Sequence, residues 1–154
     1  KTIFMKQVIA LCSFLLTVSI VHAQSEEAAV KTVIDKLFTA MKNGDAKSLG
    51  ECFADGAILQ TIINKNGDIS IKTEPVKEFV DFVGTQKKDA ADERITYESV
   101  KIDGELAMAW TPYSFYYNGA FSHCGVDCFQ LVKIKGGWKI QYLIDTRRKT
   151  GCNQ

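Results

Sequence analysis

The sequence predicts an α+β domain in which helical segments cover one face of an antiparallel β-sheet. Apolar residues recur at helical spacing in the first half of the chain, and at a spacing of two from Arg94 to Arg148. Short glycine turns separate the strands of that second half. Helices that precede a run of hairpin-connected strands must bury their apolar stripes against one face of the resulting sheet.

Residues 1–23 have the composition of a secretory signal peptide. A basic start precedes the apolar run Val8 to Val21, and cleavage is expected after Ala23. The run is shorter than the roughly 20 residues of an ordinary membrane-spanning helix. We therefore expect an exported protein, periplasmic or secreted, with no membrane attachment after cleavage and one domain over residues 24–154.

The charge balance and the motif content exclude several classes of partner. The chain carries 19 basic and 18 acidic residues, which gives a formal net charge of +1. Such a balance provides no field for nucleic acid or for an anionic membrane. The sequence contains no glycine-rich phosphate loop, no nucleophile elbow and no paired-histidine metal motif. We expect no cofactor and no metal.

Three helical segments are predicted, at Ser25 to Asn43, Ala46 to Phe53 and Glu74 to Gln86. A serine cap begins the first, Asp45 caps the second, and a proline lies at an early position of the third. The apolar stripe of the first segment consists of Ala29, Val33, Leu37, Ala40 and Met41.

The predicted strands begin with a hairpin around the turn signal NKNGD, formed by Ala57 to Asn64 and Ile69 to Thr73. Pro112 lies in the middle of a later strand and cannot donate a ladder hydrogen bond, so a bulge or a sheet edge is expected beside it. The later strands are Arg94 to Ile102, Leu106 to Tyr117, Phe121 to Lys135 and Trp138 to Arg148.

The order of the elements and four C-terminal segments resemble a known family. The segments are AWTPYSFYYNG, FSHCGVDCFQLVK, GGWKI and DTRR with the following GC. The chain resembles the nuclear transport factor 2-like superfamily, also called cystatin-like or SnoaL-like, and within it the putative lumazine-binding family. The resemblance implies a cystatin-like cone, in which a bent antiparallel sheet wraps around three N-terminal helical segments and leaves a pocket at its open end.

The register of the last hairpin determines which side chains face the helices. A three-residue turn at Lys135 to Gly137 pairs Ile134 with Trp138 and Gln130 with Tyr142. One face is then apolar apart from Gln130 and Tyr142, and we expect it to lie against the helices. Strong bending could instead turn the end of the other face toward the pocket mouth. That other face carries Phe129, Leu131, Leu143, His123, Asp127, Asp145 and Arg147.

Candidate catalytic residues lie near one end of this hairpin. His123 with Asp127 or Asp145 could form a general base with an orienting carboxylate, and Arg147 could bind an anionic group. The alternative is a structural ion pair beside a hydrogen-bonded histidine. The residues predicted to contact a ligand are Trp110, Tyr113, Tyr116, Gln130, Tyr142 and Arg147.

Four cysteines follow the signal peptide, and they allow three disulfide pairings or four free thiols. Cys124 and Cys128 on one straight strand would lie about 13 Å apart, beyond disulfide reach. The register places Cys124 opposite Arg148, four residues before Cys152, and this favours a Cys124–Cys152 disulfide. A zinc site of His123, Cys124 and Cys128 is not expected, because His123 points away from both cysteines on a strand.

Three hypotheses for the function remain. The leading one is a non-catalytic binder of an unknown, small, partly apolar molecule. The alternatives are a SnoaL-like or ketosteroid-isomerase-like enzyme that transfers a proton through His123, Asp127 or Asp145, and a protein-interaction module with a filled cone. A carboxylate or histidine in a cavity, close to a phenol, would favour the enzyme. A homodimer is expected through the sheet face that carries Phe129, Leu131 and Leu143.

Overall fold

The computed structural model describes residues 26–152, which form three helices and seven strands. The predicted signal peptide lies outside the described residues. Helix α1 covers residues 26–43. The other elements are α2 (Ala46–Gly50), β1 (Phe53–Lys65), β2 (Asp68–Pro75), α3 (Val76–Gly84), β3 (Ala91–Ile95), β4 (Ser99–Asp103), β5 (Leu106–Tyr117), β6 (Ala120–Ile134) and β7 (Gly137–Thr146).

The strands form one sheet in the order β2-β1-β7-β6-β5-β3, and β4 also pairs with β5. Every pair is antiparallel except β1 with β7, which is parallel. The meander β5-β6-β7 leaves one edge of β7 unpaired, and β1 occupies that edge. The predicted α+β class with an antiparallel sheet is confirmed. Within residues 26–152, no helix combines the length and the apolarity that a membrane span needs.

The single strand predicted from Arg94 to Ile102 is divided into β3 and β4. The Thr96 N–H donates to the Pro112 carbonyl at 2.9 Å, and the Glu98 N–H donates to the Trp110 carbonyl at 3.1 Å. Three residues of this segment therefore lie opposite two residues of β5. This irregularity is the bulge that Pro112 indicates, and it bends the edge of the sheet.

Helix α2 begins as predicted, whereas α3 begins at Val76 rather than Glu74 and ends at Gly84 rather than Gln86, because β2 continues to Pro75. The Asp45 carboxylate caps α2 by accepting from the Ser48 N–H at 3.0 Å. Helix α2 ends at Gly50 rather than Phe53, because Phe53 begins β1 and the Cys52 carbonyl accepts from the Ile140 N–H. The buried stripe of α1 consists of Val30, Ile34, Leu37, Ala40 and Met41, so Ala29 and Val33 of the predicted stripe lie at its margin.

The register of the β6–β7 hairpin corrects the prediction at the turn. The turn has two residues, Lys135 and Gly136, so that Ile134 pairs with Gly137. A bulge at Gln141 then restores the predicted register, and Gln130 pairs with Tyr142. Because one extra residue inverts the alternation of a strand, Trp138 and Ile140 share their face with Leu131 and Phe129 rather than with Gln130 and Tyr142 as predicted.

The core therefore lies on the face that was predicted to be outside. Phe129, Leu131 and Ile140 are fully buried, and Phe38 of α1 contacts Phe129 edge to face, with ring centroids 6.1 Å apart. These side chains form one cluster with the buried stripe of α1 and with Leu49 and Val83. The prediction that Phe129, Leu131 and Leu143 lie on the outer face is wrong.

Candidate functional site

A cavity of about 320 Å³ opens between the inner face of the sheet and helices α1 and α3. Its walls are largely apolar, although Gln60, Lys72, Glu74 and Tyr117 also contribute to them, and a group of polar residues comes from β1, β3, β5, β6 and the end of β7. The apolar walls include Leu37, Phe38, Met41, Leu59, Phe79, Phe82, Ala91, Phe115 and Leu143. The polar floor, as we call it, consists of Thr61, Glu93, Tyr113, His123, Asp127, Asp145 and Arg147.

Strand register brings the polar floor together. Thr111 pairs with Asp127, Asp127 with Asp145, and Asp145 with Thr61, so one row of polar residues crosses four strands. Asp127 and Asp145 are only 4% and 8% exposed. The burial of neighbouring carboxyl groups requires compensating hydrogen bonds or protons.

Three hydrogen-bond donors compensate for the burial of the Asp145 carboxylate. Its carboxylate accepts from the Thr61 hydroxyl at 2.6 Å, from the Tyr113 hydroxyl at 3.2 Å and from Arg147 Nε at 2.8 Å. The Arg147 Nη2 also donates to Thr61 Oγ1 at 3.0 Å. Asp145 is thus an ion-paired anchor that holds Thr61, Tyr113 and Arg147 in place.

The burial of Asp127 and Glu93 is compensated by a proton that their carboxyl groups share. Their carboxyl groups are hydrogen-bonded to each other, which requires one of them to be protonated. Burial, together with the neighbouring carboxylates of Glu93 and Asp145, raises the pKa of Asp127 well above its usual range. Burial also raises the pKa of Glu93 to about 7. Near neutral pH the pair therefore shares a proton, and its titration belongs to both groups.

Tyr113 and His123 complete the floor. The Tyr113 hydroxyl donates to the Thr146 carbonyl at 2.9 Å, and its burial raises its pKa. The His123 ring lies 5.0 Å from the Phe115 ring and 5.7 Å from the Tyr113 ring, centroid to centroid. Burial lowers the pKa of His123, and the positive charge of Arg147 lowers it further. The imidazole is therefore neutral at neutral pH.

Gly125 lies beneath Tyr113 and has a packing role. A Cβ atom at this position would lie 1.8 Å from the Thr146 carbonyl oxygen and 2.8 Å from Tyr113 Cε1. Because Gly125 has no side chain, the end of β7 and the Tyr113 ring can both lie close to β6. The Tyr113 hydroxyl can then donate to the Thr146 carbonyl.

The segment after β7 is attached to β6 twice. Cys124 and Arg148 exchange two backbone hydrogen bonds, each 2.9 Å long. Cys124 and Cys152 form a disulfide with a Cα–Cα distance of 5.8 Å. This attachment keeps Arg147, the residue between Thr146 and the bridge, beside Asp145.

Comparison with known proteins assigns this fold and cavity to a family. The family model described as Putative lumazine-binding matches residues 25–142. The chain belongs to this family. No curated protein matches the chain.

Solved structures support the fold of this family member. An NTF2-like protein with a cystatin-like fold from Novosphingobium aromaticivorans is 12% identical, with a TM-score of 0.68, and the match covers 88% of this chain and 90% of that one. An NTF2-like protein of unknown function from Shewanella baltica OS155 is 17% identical, with a TM-score of 0.65 and coverage of 82% and 96%. At these identities the likeness establishes the fold alone.

A further similar structure, from Streptomyces avermitilis, is described as a putative dehydratase from the NTF2-like family. It is 12% identical to this chain, with a TM-score of 0.61 and coverage of 82% and 98%.

In this family member, the structure brings some of the predicted site residues together and separates others. His123, Asp127, Asp145, Tyr113 and Arg147 all line the cavity. The other four predicted ligand contacts, Trp110, Tyr116, Gln130 and Tyr142, lie on the outer face of the sheet.

The four side chains on the outer face are either exposed to solvent or in contact with other side chains of that face. Trp110 is 39% exposed, and Gln130 is exposed as well. Tyr116 packs against Phe121 and beneath Arg94, and the Tyr142 hydroxyl donates to the Gln60 side chain at 2.6 Å. The correction follows from the bulge at Gln141, because the predicted register assigned the faces the other way round.

Two floor residues, Glu93 and Thr61, were not predicted. Glu93 precedes the predicted start of its strand at Arg94, although the alternation of Ala91, Glu93 and Ile95 is a usable signal for an inward-facing carboxyl. Thr61 reaches Asp145 through the parallel pairing of β1 with β7, for which the sequence carries no local signal.

The cysteines and the histidine do not form a metal site. Cys124 is bonded to Cys152, and Cys128, on the outer face, is a free thiol. Among the residues from 26 to 152, no three histidine, cysteine or acidic side chains gather in an arrangement that could hold a metal ion.

Proposed function

We propose that this protein binds one small, partly apolar molecule in the cavity between the sheet and helices α1 and α3. The observation that supports this function is a polar floor with buried carboxyl groups at the base of apolar walls. The volume of about 320 Å³ lies at the lower end of the range of about 300–1,000 Å³ that is common for small-molecule sites. The family description also supports a small-molecule ligand.

The walls and the floor have different roles in this proposal. Phe38, Phe79 and Phe115 provide apolar contact area for the body of the ligand. Glu93 and Asp127 orient its polar end, because the proton held between them leaves their other carboxyl oxygens able to accept hydrogen bonds. Asp145 serves to hold Tyr113 and Arg147 rather than to contact the ligand.

Two adjacent residues of β7 provide a matched test of the binding site. Leu143 lines the cavity, whereas Ile144 faces away from it. We expect a fragment screen followed by NMR titration to identify molecules that shift the resonances of cavity residues. Leu143→Trp should abolish those shifts by filling the cavity, and Ile144→Trp should retain them. Binding that survives in Leu143→Trp, in a protein that is still folded, would place the site elsewhere.

Proton transfer is a second candidate function, favoured by the pKa of about 7 at Glu93. A group that titrates near the working pH can both donate and accept a proton at little cost in free energy. In such a reaction the protonated Glu93–Asp127 pair gives its proton to an oxygen or nitrogen of the substrate. The resulting carboxylate removes a proton from another position of the substrate, so no external oxidant or reductant is required. The Streptomyces avermitilis relative described as a dehydratase is compatible with this class.

Isotope exchange separates the binder from the enzyme. Once a ligand with an exchangeable carbon-bound proton is found, we expect incorporation of deuterium from D₂O if the protein is an enzyme. Glu93→Gln should then slow the exchange by about 100-fold, at the lower end of the usual contribution of a general acid–base group. The exposed control Glu98→Gln should leave it unchanged. Tight binding without exchange in the wild type would support the binder.

We also propose that the protein is exported. The sequence pattern of residues 1–23 supports this, and so does the Cys124–Cys152 disulfide, because such bonds persist in oxidising compartments. N-terminal sequencing of the protein recovered from cells should find a chain that begins at Gln24. A recovered chain that retains Val8 to Val21 would contradict the proposal.

A homodimer through the outer face of the sheet is a further part of the proposal. That face carries Trp110 and Ile58, which are 39% and 45% exposed, next to the partly exposed Met108 and Ile144. Exposed apolar patches on a sheet are usually covered by a partner. The residues differ from those predicted, because Phe129, Leu131 and Leu143 are directed toward the core.

A further inference from the structure

We infer that the cavity selects a flat apolar ligand whose polar end bears N–H groups, preferably cationic ones such as an amidine or an aminopyridine, and that it disfavours carboxylates. This inference rests on the binding function proposed above and adds the chemical class of the ligand. Three independent features of the site support it: its charge, the use of its donors and the nature of its walls.

The charge of the polar floor is negative. It contains three carboxyl groups, at Glu93, Asp127 and Asp145, and one guanidinium group, at Arg147. The proton shared by Glu93 and Asp127 neutralises one carboxyl group, and Arg147 neutralises another through its ion pair with Asp145. Lys72 and Glu74, which also line the cavity, offset each other, so one negative charge remains close to the buried Asp127 and Asp145. A cationic ligand would offset that charge, whereas an anionic ligand would add to it.

The hydroxyl donors of the floor are already committed to acceptors of the protein. The Tyr113 hydroxyl donates to Thr146 and Asp145, and the Thr61 hydroxyl donates to Asp145. Arg147 uses two of its five N–H groups in the floor, donating through Nε to Asp145 and through Nη2 to Thr61, and its side chain is half exposed to solvent. The carboxyl oxygens of Glu93 and Asp127 are the acceptors that remain in the floor. A ligand that brings N–H donors satisfies them, and a ligand that brings only acceptors leaves them unpaired.

The walls suit a flat ring with positive charge at its edge. Phe38, Phe79 and Phe115 contribute aromatic surfaces to a cavity of limited volume. The faces of aromatic rings attract cations, and the effect is larger where water is excluded. His123 adds another ring but does not set the preference, because a neutral imidazole has one donor and one acceptor nitrogen.

A series of three ligands of nearly equal shape tests the inference. Benzamidine, benzamide and benzoate share one ring and differ in charge, being cationic, neutral and anionic at pH 7.5. We expect NMR titration of the cavity resonances to give the order benzamidine, benzamide, benzoate, from tightest to weakest. The difference between benzamidine and benzoate should be about tenfold or more, since charge complementarity within a cleft is worth at least that factor.

Substitution of the acceptors provides the second measurement. The double variant Glu93→Gln with Asp127→Asn keeps the shapes of both side chains and removes the remaining negative charge, so the ratio of benzamidine to benzamide affinity should fall by about fivefold. The ratio is insensitive to a general loss of stability. Asp103→Asn, an exposed position at the end of β4, is the matched control and should keep the wild-type ratio. Each single variant keeps one carboxylate, and with it the negative charge of the pair, so it should retain most of the ratio.

Each result has a defined meaning. Benzoate or benzamide binding as tightly as benzamidine overturns the inferred ligand class and leaves the binding function intact. An unchanged affinity ratio in the folded double variant Glu93→Gln with Asp127→Asn also overturns it. The absence of binding by all three molecules contradicts the binding function, and this inference with it.

Discussion

Glu93 of β3 and Asp127 of β6 are hydrogen-bonded to each other across β5, the strand that separates them in the sheet. The contact is possible because both side chains face the cavity and extend over the inner face of β5. It places a protonated carboxyl group beside the Tyr113–Asp145–Arg147 network, in a cavity that is otherwise largely apolar. Both proposed functions depend on this relationship.

The pH dependence of stability should reveal the shared proton. Glu93 has a pKa of about 7 in the folded protein and 4.5 as its reference value, so the folded state binds more protons between these limits. The contribution of Glu93 to stability is therefore complete below about pH 4.5 and is lost as the pH rises through about 7. We expect the free energy of unfolding of Glu93→Gln to gain on the order of 2 kcal/mol relative to the wild type between pH 5 and pH 8.

Urea denaturation at half-unit steps of pH measures this difference. The comparison of variant with wild type reports the titration of the coupled Glu93–Asp127 pair, since Asp127, Asp145, Arg147 and His123 remain present in both proteins. Glu98→Gln should follow the wild-type curve. Parallel curves for Glu93→Gln and the wild type would show that Glu93 titrates normally.

Gly125→Ala should destabilise the fold. The added Cβ would overlap the Thr146 carbonyl at 1.8 Å, and the end of β7 must move away from β6 to relieve the clash. We expect a loss of about 2–4 kcal/mol in the free energy of unfolding, since overpacking against backbone is costly. Gly50→Ala is the control, because a Cβ there meets only Val80 at 3.6 Å and should be tolerated. Equal stability of the two variants would disprove the close approach.

Removal of the Cys124–Cys152 disulfide should destabilise the protein and loosen the segment after β7. The bond spans a sequence separation of 28 residues. A crosslink of this span is worth about 2–4 kcal/mol, less any structure that persists in the unfolded chain. We expect the double variant Cys124→Ser with Cys152→Ser to lose stability by that amount, and Cys128→Ser to lose much less. Alkylation of both Cys124 and Cys152 without a reductant would rule out the bond.

A charged residue in the outer face should prevent dimerisation. Trp110→Glu places a carboxylate among Met108, Cys128 and Ile144, and its burial in an interface would be unfavourable. We expect light scattering to give the mass of a dimer for the wild type and of a monomer for Trp110→Glu at high micromolar concentration. Lys87→Glu, at an exposed position after α3 and outside the sheet, is a charge-reversal control that should remain dimeric. A wild type that is monomeric at this concentration would contradict the proposal.

The sequence by itself determined the class of fold and most of the elements. Helix caps such as Asp45, the Asn66-Gly67 turn and the alternation of apolar residues are encoded within a few neighbouring positions, so each can be identified without the rest of the chain. The same is true of the bulge beside Pro112, which follows from a missing N–H group. The sequence also placed His123, Asp127 and Asp145 near one another, because they lie on adjacent strands of one hairpin.

Only the tertiary structure decided which face of the sheet these residues occupy. The side chains of a strand alternate between faces, so the extra residue at Gln141 places Trp138 and Ile140 on the face of Asp127 and Asp145 instead of the face of Gln130 and Tyr142. The larger buried area of Phe129, Leu131, Trp138 and Ile140 on one side selected that arrangement. The site was completed by Glu93 and Thr61, which come from strands distant in sequence and reach Asp127 and Asp145 through pairings that no local pattern specifies.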